Sequence, residues 1–182
     1  MSLSLNLLQT LLNEFGIDTM CWGKGEAKTV NDFLGEILQG ESYLKIEGNK
    51  IVRVIEIVKM FVCNPLHPEY GYLLEWAQYL PDGRYRERRQ NPGGKIRSGE
   101  SPEEALIREV REELRIDRDG YELSILPVKV EDRPSRSYPG LSCWYIIHGF
   151  KIVLNPELTN IGDDFTTTEE DGTILIFKWD NK

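Results

Sequence analysis

Glu109, Glu112 and Glu113 stand at positions i, i+3 and i+4 of a stretch with helical character. At roughly 100° per residue they share a face about 100° wide. Like charges at this spacing repel, at a cost of about 0.2–0.5 kcal/mol per pair. Two readings account for such a trio. One is a solvated acidic face; the other is a hard dication. Magnesium takes oxygen ligands in near-octahedral geometry, keeps some waters and binds substrate phosphates. Three carboxylates would neutralise the ion and leave coordination positions open for a phosphate chain.

The neighbouring residues bear on that choice. Ser101-Pro102-Glu103-Glu104 has the parts of a helix start: an N-cap serine, proline at the first helical position and a glutamate that closes a capping box. Leu106, Val110 and Leu114 fall on the arc beside the carboxylates and form a stripe that can pack on a sheet. With Gly94, Glu100, Arg108 and Ile116 they follow the spacing G-x5-E-x7-R-E-U-x-E-E-x-x-U, where U is apolar. Typical residue frequencies give such a match by chance on the order of once in 100,000 chains.

Gly94–Ile116 resembles the Nudix box of the Nudix hydrolase superfamily, and Pro92-Gly93-Gly94-Lys95 is similar to the P-G-G-K that leads into it. The resemblance implies a pyrophosphohydrolase using Mg²⁺ or Mn²⁺ to cleave a nucleoside diphosphate linked to another moiety. ADP-ribose or a nucleotide-sugar is favoured slightly over an oxidised nucleoside triphosphate. It implies metal binding by Glu109, Glu112, Glu113 and the Gly94 carbonyl, and a supporting salt link between Glu100 and Arg108. The alternative is a Nudix-fold sensor that holds a nucleotide without cleaving it. The pattern asks for glycine where this chain has Arg115. Either a left-handed arginine is strained there by about 1 kcal/mol, or the helix runs on to the Asp117–Gly120 turn.

Further candidates lie outside the box. Relatives recruit an extra acidic ligand or base from a later loop, and Glu169-Glu170-Asp171 precedes the last expected strand. Glu170 is taken from this run as the catalytic candidate, with Asp163-Asp164 as a weaker rival. Arg84, Arg86 and Arg88 alternate along an expected strand, and their forks suit phosphate. Lys95 and Arg97 are alternative phosphate contacts, and Tyr138, Trp76 or Trp144 could stack on a base. His67 and His148 lack partners at metal-ligand spacing. Cys21, Cys63 and Cys143 are far apart, which excludes a disulfide framework or a C-x-x-C knuckle.

The elements that must position these residues are readable in outline. Leu5, Leu8, Leu12 and Phe15, stopped at Gly16, and then Val30, Phe33, Leu34, Ile37 and Leu38, stopped at Gly40, predict two helices in the first forty-odd residues. They read as core-facing helices, or alternatively as a hairpin for homodimerisation. Strands are expected at Ile51–Val58, Tyr72–Leu80 and Arg84–Gln90 across a Pro-Asp-Gly turn, then at Leu123–Val130, Cys143–Val153 and Thr173–Trp179. This mixture predicts an α+β fold or layered αβα sandwich, and the resemblance specifies a Nudix-type sandwich with a mixed sheet. A helical N-terminal extension, 1–45, would precede a Nudix domain, 46–182. A net charge of −8 argues against nucleic acid as partner. No apolar run approaches the roughly 18 residues of a membrane span. A small nucleotide-derived substrate in the reducing cytoplasm is the expected setting.

Overall fold

The local signals of the first forty residues act as read. In the computed structural model, which describes residues 3–157, 161 and 164–180, the Ser4 side chain caps α1 (Leu5–Glu14), and Gly16 leaves it at φ 71. Thr29 and Asp32 form a reciprocal capping box that starts α2 (Val30–Leu38), and Gly40, also at φ 71, follows its end. The chain continues through β1 (Tyr43–Glu47), β2 (Lys50–Cys63), β3 (Leu73–Tyr79) and β4 (Tyr85–Gln90). Next come α3 (Pro102–Glu109), β5 (Tyr121–Ile125), β6 (Lys129–Pro134), β7 (Ser142–Leu154), β8 (Phe165–Thr168) and β9 (Ile174–Trp179). The class is α+β. Among the described residues no helix is long and apolar enough to cross a membrane.

Two compact units divide the chain. One gathers the chain up to Ile57 with Lys95–Gly99 and Lys129–Ile147; the other gathers Val58–Gly94, Glu100–Val128 and the chain from His148 on. β2 and β7, neighbours in one sheet, each contribute residues to both.

In the first unit, Leu8 and Leu12 of α1 and Phe33 of α2 pack with Trp22, Ile51, Tyr138 and Leu141. Leu34, Ile37 and Phe15 close around them. The apolar stripes of the two helices are thus used in the unit's own core. β1 pairs antiparallel with the start of β2, from Tyr43↔Val54 to Glu47↔Lys50, and β6 pairs with the first part of β7. Within this core lies one carboxylate. Glu36, 6% exposed, accepts hydrogen bonds from Lys28 Nζ (2.7 Å), Tyr138 Oη (3.0 Å) and the Arg53 guanidinium. Burial opposes its ionisation, but the Lys28 bond and the Arg53 and Lys95 charges win and hold its carboxyl down at about 2.

The second unit holds a sheet ordered β4-β3-β9-β8. β3 pairs antiparallel with β4 across the expected turn, where Gly83 takes φ 83, and with β9 from Leu73↔Trp179 to Tyr79↔Ile174. Leu73, Ala77, Leu175, Phe177 and Trp179 make its buried face. In the other sheet of this unit, β5 pairs with the later part of β7. α3 and the turn after it bury Leu106, Val110 and Leu114, the stripe read from the sequence.

Three strands differ from expectation. Tyr43–Glu47 is β1 rather than helix. The strand expected over Leu123–Val130 breaks into β5 and β6 around Leu126-Pro127-Val128, because proline has no N–H to give to a ladder. β8, a short Thr-rich strand, was not anticipated.

Glu36 generates a pH prediction. Its folded carboxyl lies below the ordinary 4.5, so its stabilising contribution is complete above that pH and is lost as pH falls toward 2. Glu36→Gln should flatten the stability profile across that window. It should also cost about 3–5 kcal/mol at neutral pH, because it leaves Arg53 buried without its counter-ion. Urea unfolding at stepped pH measures both effects.

Candidate active site

The helix that carries the acidic trio starts where its capping residues dictate. Ser101 Oγ accepts from Glu104 N (3.2 Å), the Glu104 carboxylate accepts from Ser101 N (2.8 Å), and Pro102 occupies the first helical position. The α-helix lasts only to Glu109. Val110–Leu114 continues as a π-helical turn, and Arg115 ends it in the left-handed region at φ 59, ψ 33. The chain therefore does not extend the helix to Asp117–Gly120. It places arginine where glycine would be unstrained, and Arg115 Nη2 donates to Thr168 O (2.7 Å). Such π turns are rare and concentrate at functional sites. The wider turn separates the trio by burial: Glu109 and Glu113 are 8% and 7% exposed, whereas the Glu112 side chain is half open to solvent.

Arg108 links these carboxylates to the loop. Its Nε and Nη2 hold the two Glu100 oxygens in a fork (2.7 and 2.9 Å). Its Nη1 donates to Glu109 Oε1 and to Glu112 Oε2 (3.2 Å). The Glu100 bonds above all, and then Glu109, hold the guanidinium firmly in its charged form.

Glu113 is placed differently. Its Oε2 is buried and has no hydrogen-bond partner among the described residues. Burial pushes its carboxyl well above the usual range, and the charges of Glu109, Glu75 and Glu169 push it further, against a smaller opposing effect of a backbone hydrogen bond from Gly93. Glu75 is a member of this group that sequence reasoning missed. It is 2% exposed on β3, accepts from Gln90 Nε2 (3.1 Å) and lies 3.3 Å from Arg88 Nε. The available signal was a charge in register with the inward-facing Leu73 and Ala77. Of the later acidic run it is Glu169 that joins the group. Desolvation, then Asp171, Glu75, Glu109 and Glu112, raise its carboxyl. Both Glu169 and Glu170 are exposed, and it is the proximity of Glu169 to the charges of Glu75, Glu109 and Glu112 that sets it apart. Asp163 lies outside the described residues, and Asp164 is an exposed partner of Lys178 (3.5 Å).

The glycines of the loop are required by close approach. A Cβ on Gly93, at φ 148, would stand 2.1 Å from Val58 O, and one on Gly94 would stand 2.1 Å from Glu109 Oε1. The Gly94 carbonyl accepts from Val58 N (2.9 Å), which uses one of its lone pairs. The donor set fits a hard dication: all oxygen, with an orphaned buried carboxylate oxygen and a side-chain-free approach at Gly94. Among the described residues, no three acidic, His or Cys side chains are gathered into a ligand cluster, and Arg108 bonds two of the carboxylates.

The remaining candidates scatter. The register of β3 and β4 shifts between Glu75 and Ala77, so Arg88 and Arg89 together lie opposite Trp76 in the ladder, and Arg89 takes φ 44. Arg84, Arg86 and Arg88 consequently do not work as one row. Arg84 bonds Asp82 (2.7 Å), Arg86 is exposed and Arg88 turns to Glu75. Lys95 Nζ lies on Glu41 (2.6 Å). Tyr138 is a correction. Wholly buried between Trp22, Phe33 and Arg53, with its hydroxyl on Glu36, it has no surface for a substrate to stack on. Trp76 lies under Arg89 and Lys178, and Trp144 under Lys45.

Residues 61–173 match the NUDIX domain. The chain belongs to the Nudix family. Solved structures similar to it include DR0079 of Deinococcus radiodurans, at 21% identity and TM-score 0.40, over 69% of this chain and 65% of that one. A MutT from work on Aliivibrio salmonicida and Vibrio cholerae is similar at 18% identity and TM-score 0.31, over 69% of this chain and 78% of that one. An Ap4A hydrolase of C. elegans is similar at 22% identity and TM-score 0.36, over 60% and 75%. No relative was found among curated protein sequences. The box Gly94–Ile116 lies inside the matched Nudix region.

The buried orphan on Glu113 gives a measurable sign. Its raised carboxyl binds a proton more tightly folded than unfolded, so without metal this residue removes stability as pH climbs above 4.5. In EDTA at pH 8, Glu113→Gln should be more stable than wild type by about 1–3 kcal/mol. Thermal melts across pH check this, and the variant's shallower alkaline slope is the specific signature.

Proposed function

We propose that this Nudix protein is a divalent-metal-dependent hydrolase of phosphoric anhydride bonds, acting on a nucleoside diphosphate linked to another moiety. One observation supports the reading: a box glutamate, Glu113, is buried with an oxygen, Oε2, that no donor among the described residues satisfies, in the company of further carboxylates. Such a group is costly unless a cation completes it. Mg²⁺ or Mn²⁺ would be held by Glu109, Glu112 and Glu113, with the Gly94 carbonyl as a further donor. The ion, when bound, supplies charge to the phosphoryl oxygens and lowers the pKa of the attacking water.

The chain's own residues have distinct parts in this reading. Glu100 holds Arg108, and Arg108 fixes Glu109 and Glu112 until the cation takes them over. Glu169, its carboxyl raised by desolvation and by the neighbouring acidic charges, accepts the proton of the attacking water. Water adds to one phosphorus, the bridging P–O bond breaks, and the two products each leave with a phosphate. Arg86, exposed near the start of β4, is the remaining arginine candidate for the substrate, with Arg84 before it held on Asp82. ADP-ribose or a nucleotide-sugar is favoured, followed by an oxidised nucleoside triphosphate. The catalytic region lies within 46–182, and the acidic net charge fits a small substrate in the cytoplasm better than nucleic acid. A non-catalytic sensor is disfavoured because all three box carboxylates are present.

A panel of nucleotide-sugars, dinucleotides and oxidised triphosphates, assayed for nucleoside monophosphate release with Mg²⁺ and with EDTA, tests the reading. Activity should require the metal. Glu112→Gln and Glu113→Gln should each lower kcat beyond the roughly 10–100-fold that loss of an outer-shell partner costs. Full activity in either variant, or in EDTA, would overturn the assignment.

A further inference from the structure

We propose that the N-terminal segment braces the loop entering the Nudix box, with Lys95 as a positioning residue held by Glu41 and Glu36. The inference rests on the hydrolase reading above. From the sequence, Lys95 looked like a phosphate contact. Its ammonium instead lies 2.6 Å from Glu41 Oε2 and 3.5 Å from Glu36 Oε2. A solvent-exposed pair of lysine and glutamate is worth little alone, about 0–1 kcal/mol, and here both side chains are about one-third exposed, at 32%. This pair is different because Glu36 is 7% exposed at its side chain and already anchored by Lys28, Arg53 and Tyr138. Lys95 therefore joins a fixed network at the end of α2.

A second contact acts on the same loop. Gly40, just past α2 at φ 71, approaches Ser98 so closely that a Cβ there would stand 2.3 Å from Ser98 Cβ and 3.1 Å from its Cα. On its other side the loop is tied to β2: Ile96 N donates to Glu56 O (2.9 Å), and Lys95 bridges Ile57. Lys95–Ser98 is thus clamped between a strand and the end of a helix. In the chain this loop joins Gly94 to Glu100, the first a close neighbour of Glu109 and the second the anchor of Arg108. A loop clamped at this point restricts both of its ends. Residues that orient metal ligands from outside typically change metal affinity or activity by about 10–100-fold when removed.

Glu41 touches none of the proposed ligands, so Glu41→Gln in the full-length protein is the test. Amides 95–98 should exchange faster with deuterium, and the Mg²⁺ concentration for half-maximal rate should rise about tenfold, with KM for the nucleotide little changed. Lys95→Arg should keep the wild-type Mg²⁺ requirement. The double variant Glu41→Gln/Lys95→Met should be no worse than Lys95→Met alone. Additive losses would mean that Lys95 acts on the phosphate directly and would overturn the proposal. So would faster exchange with an unchanged Mg²⁺ requirement, or no change in either. If no substrate is hydrolysed by the wild type, the function fails separately. Mg²⁺ calorimetry on wild type and Glu41→Gln then decides the brace: about tenfold weaker binding supports it, and equal binding contradicts it.

Discussion

Carboxylates crowded into poorly hydrated positions repel one another, and this repulsion is the constraint on which the rest of the second unit depends. Glu109, Glu113 and Glu75 are buried, and Glu169 adds its charge to theirs. Arg108 supplies one cation, shared among Glu100, Glu109 and Glu112. Arg88 and Gln90 attend Glu75. Nothing among the described residues attends Glu113 Oε2. A fold that sustains this arrangement tolerates local instability, which a bound cation, in the function proposed above, would relieve. Its cost is met by ordinary packing elsewhere, in the apolar stripe of Leu106, Val110 and Leu114 directly beside the acids.

Several backbone irregularities serve the same arrangement. Gly93 and Gly94 bring the loop against β2 and Glu109 without a side chain between them. The π turn after Glu109 alters the phase of the helix, so that Glu113 goes inward while Glu112 stays at the rim. Arg115 accepts a left-handed conformation to end that turn, with its guanidinium bonded to Thr168 O. The bulge opposite Trp76 turns Arg88 toward Glu75. Strained or irregular backbone clusters where geometry matters for chemistry.

What the sequence disclosed was local. Ser101, Pro102 and Glu104 act within one turn, and the helix begins where they place it. The two N-terminal helices, the Pro-Asp-Gly hairpin and the spacing of the box depend on near neighbours in the same way. What it concealed depends on distant partners. Tyr138, which by composition suited a stacking surface, is taken into the core by Trp22, Phe33 and Glu36. Glu75 belongs to the acidic group only because β3 and α3 belong to one unit. Glu169 and Glu170 are adjacent in sequence, and only the distant charges of Glu75, Glu109 and Glu113 near Glu169 distinguish them. The π turn leaves no local mark in the sequence, since Arg111, Glu112, Glu113 and Leu114, all of good helix propensity, run straight through it.

In the proposed function a hard dication completes the box carboxylates. Crystals grown with Mn²⁺ and a non-hydrolysable nucleotide, measured at an anomalous wavelength, test it most directly. A strong peak is expected at coordinating distance, about 2.0–2.2 Å for a small dication, from oxygens of Glu109, Glu112 or Glu113, with Glu113 Oε2 turned onto it. A well-ordered nucleotide with no peak at these side chains, or with manganese bound only elsewhere, would contradict it.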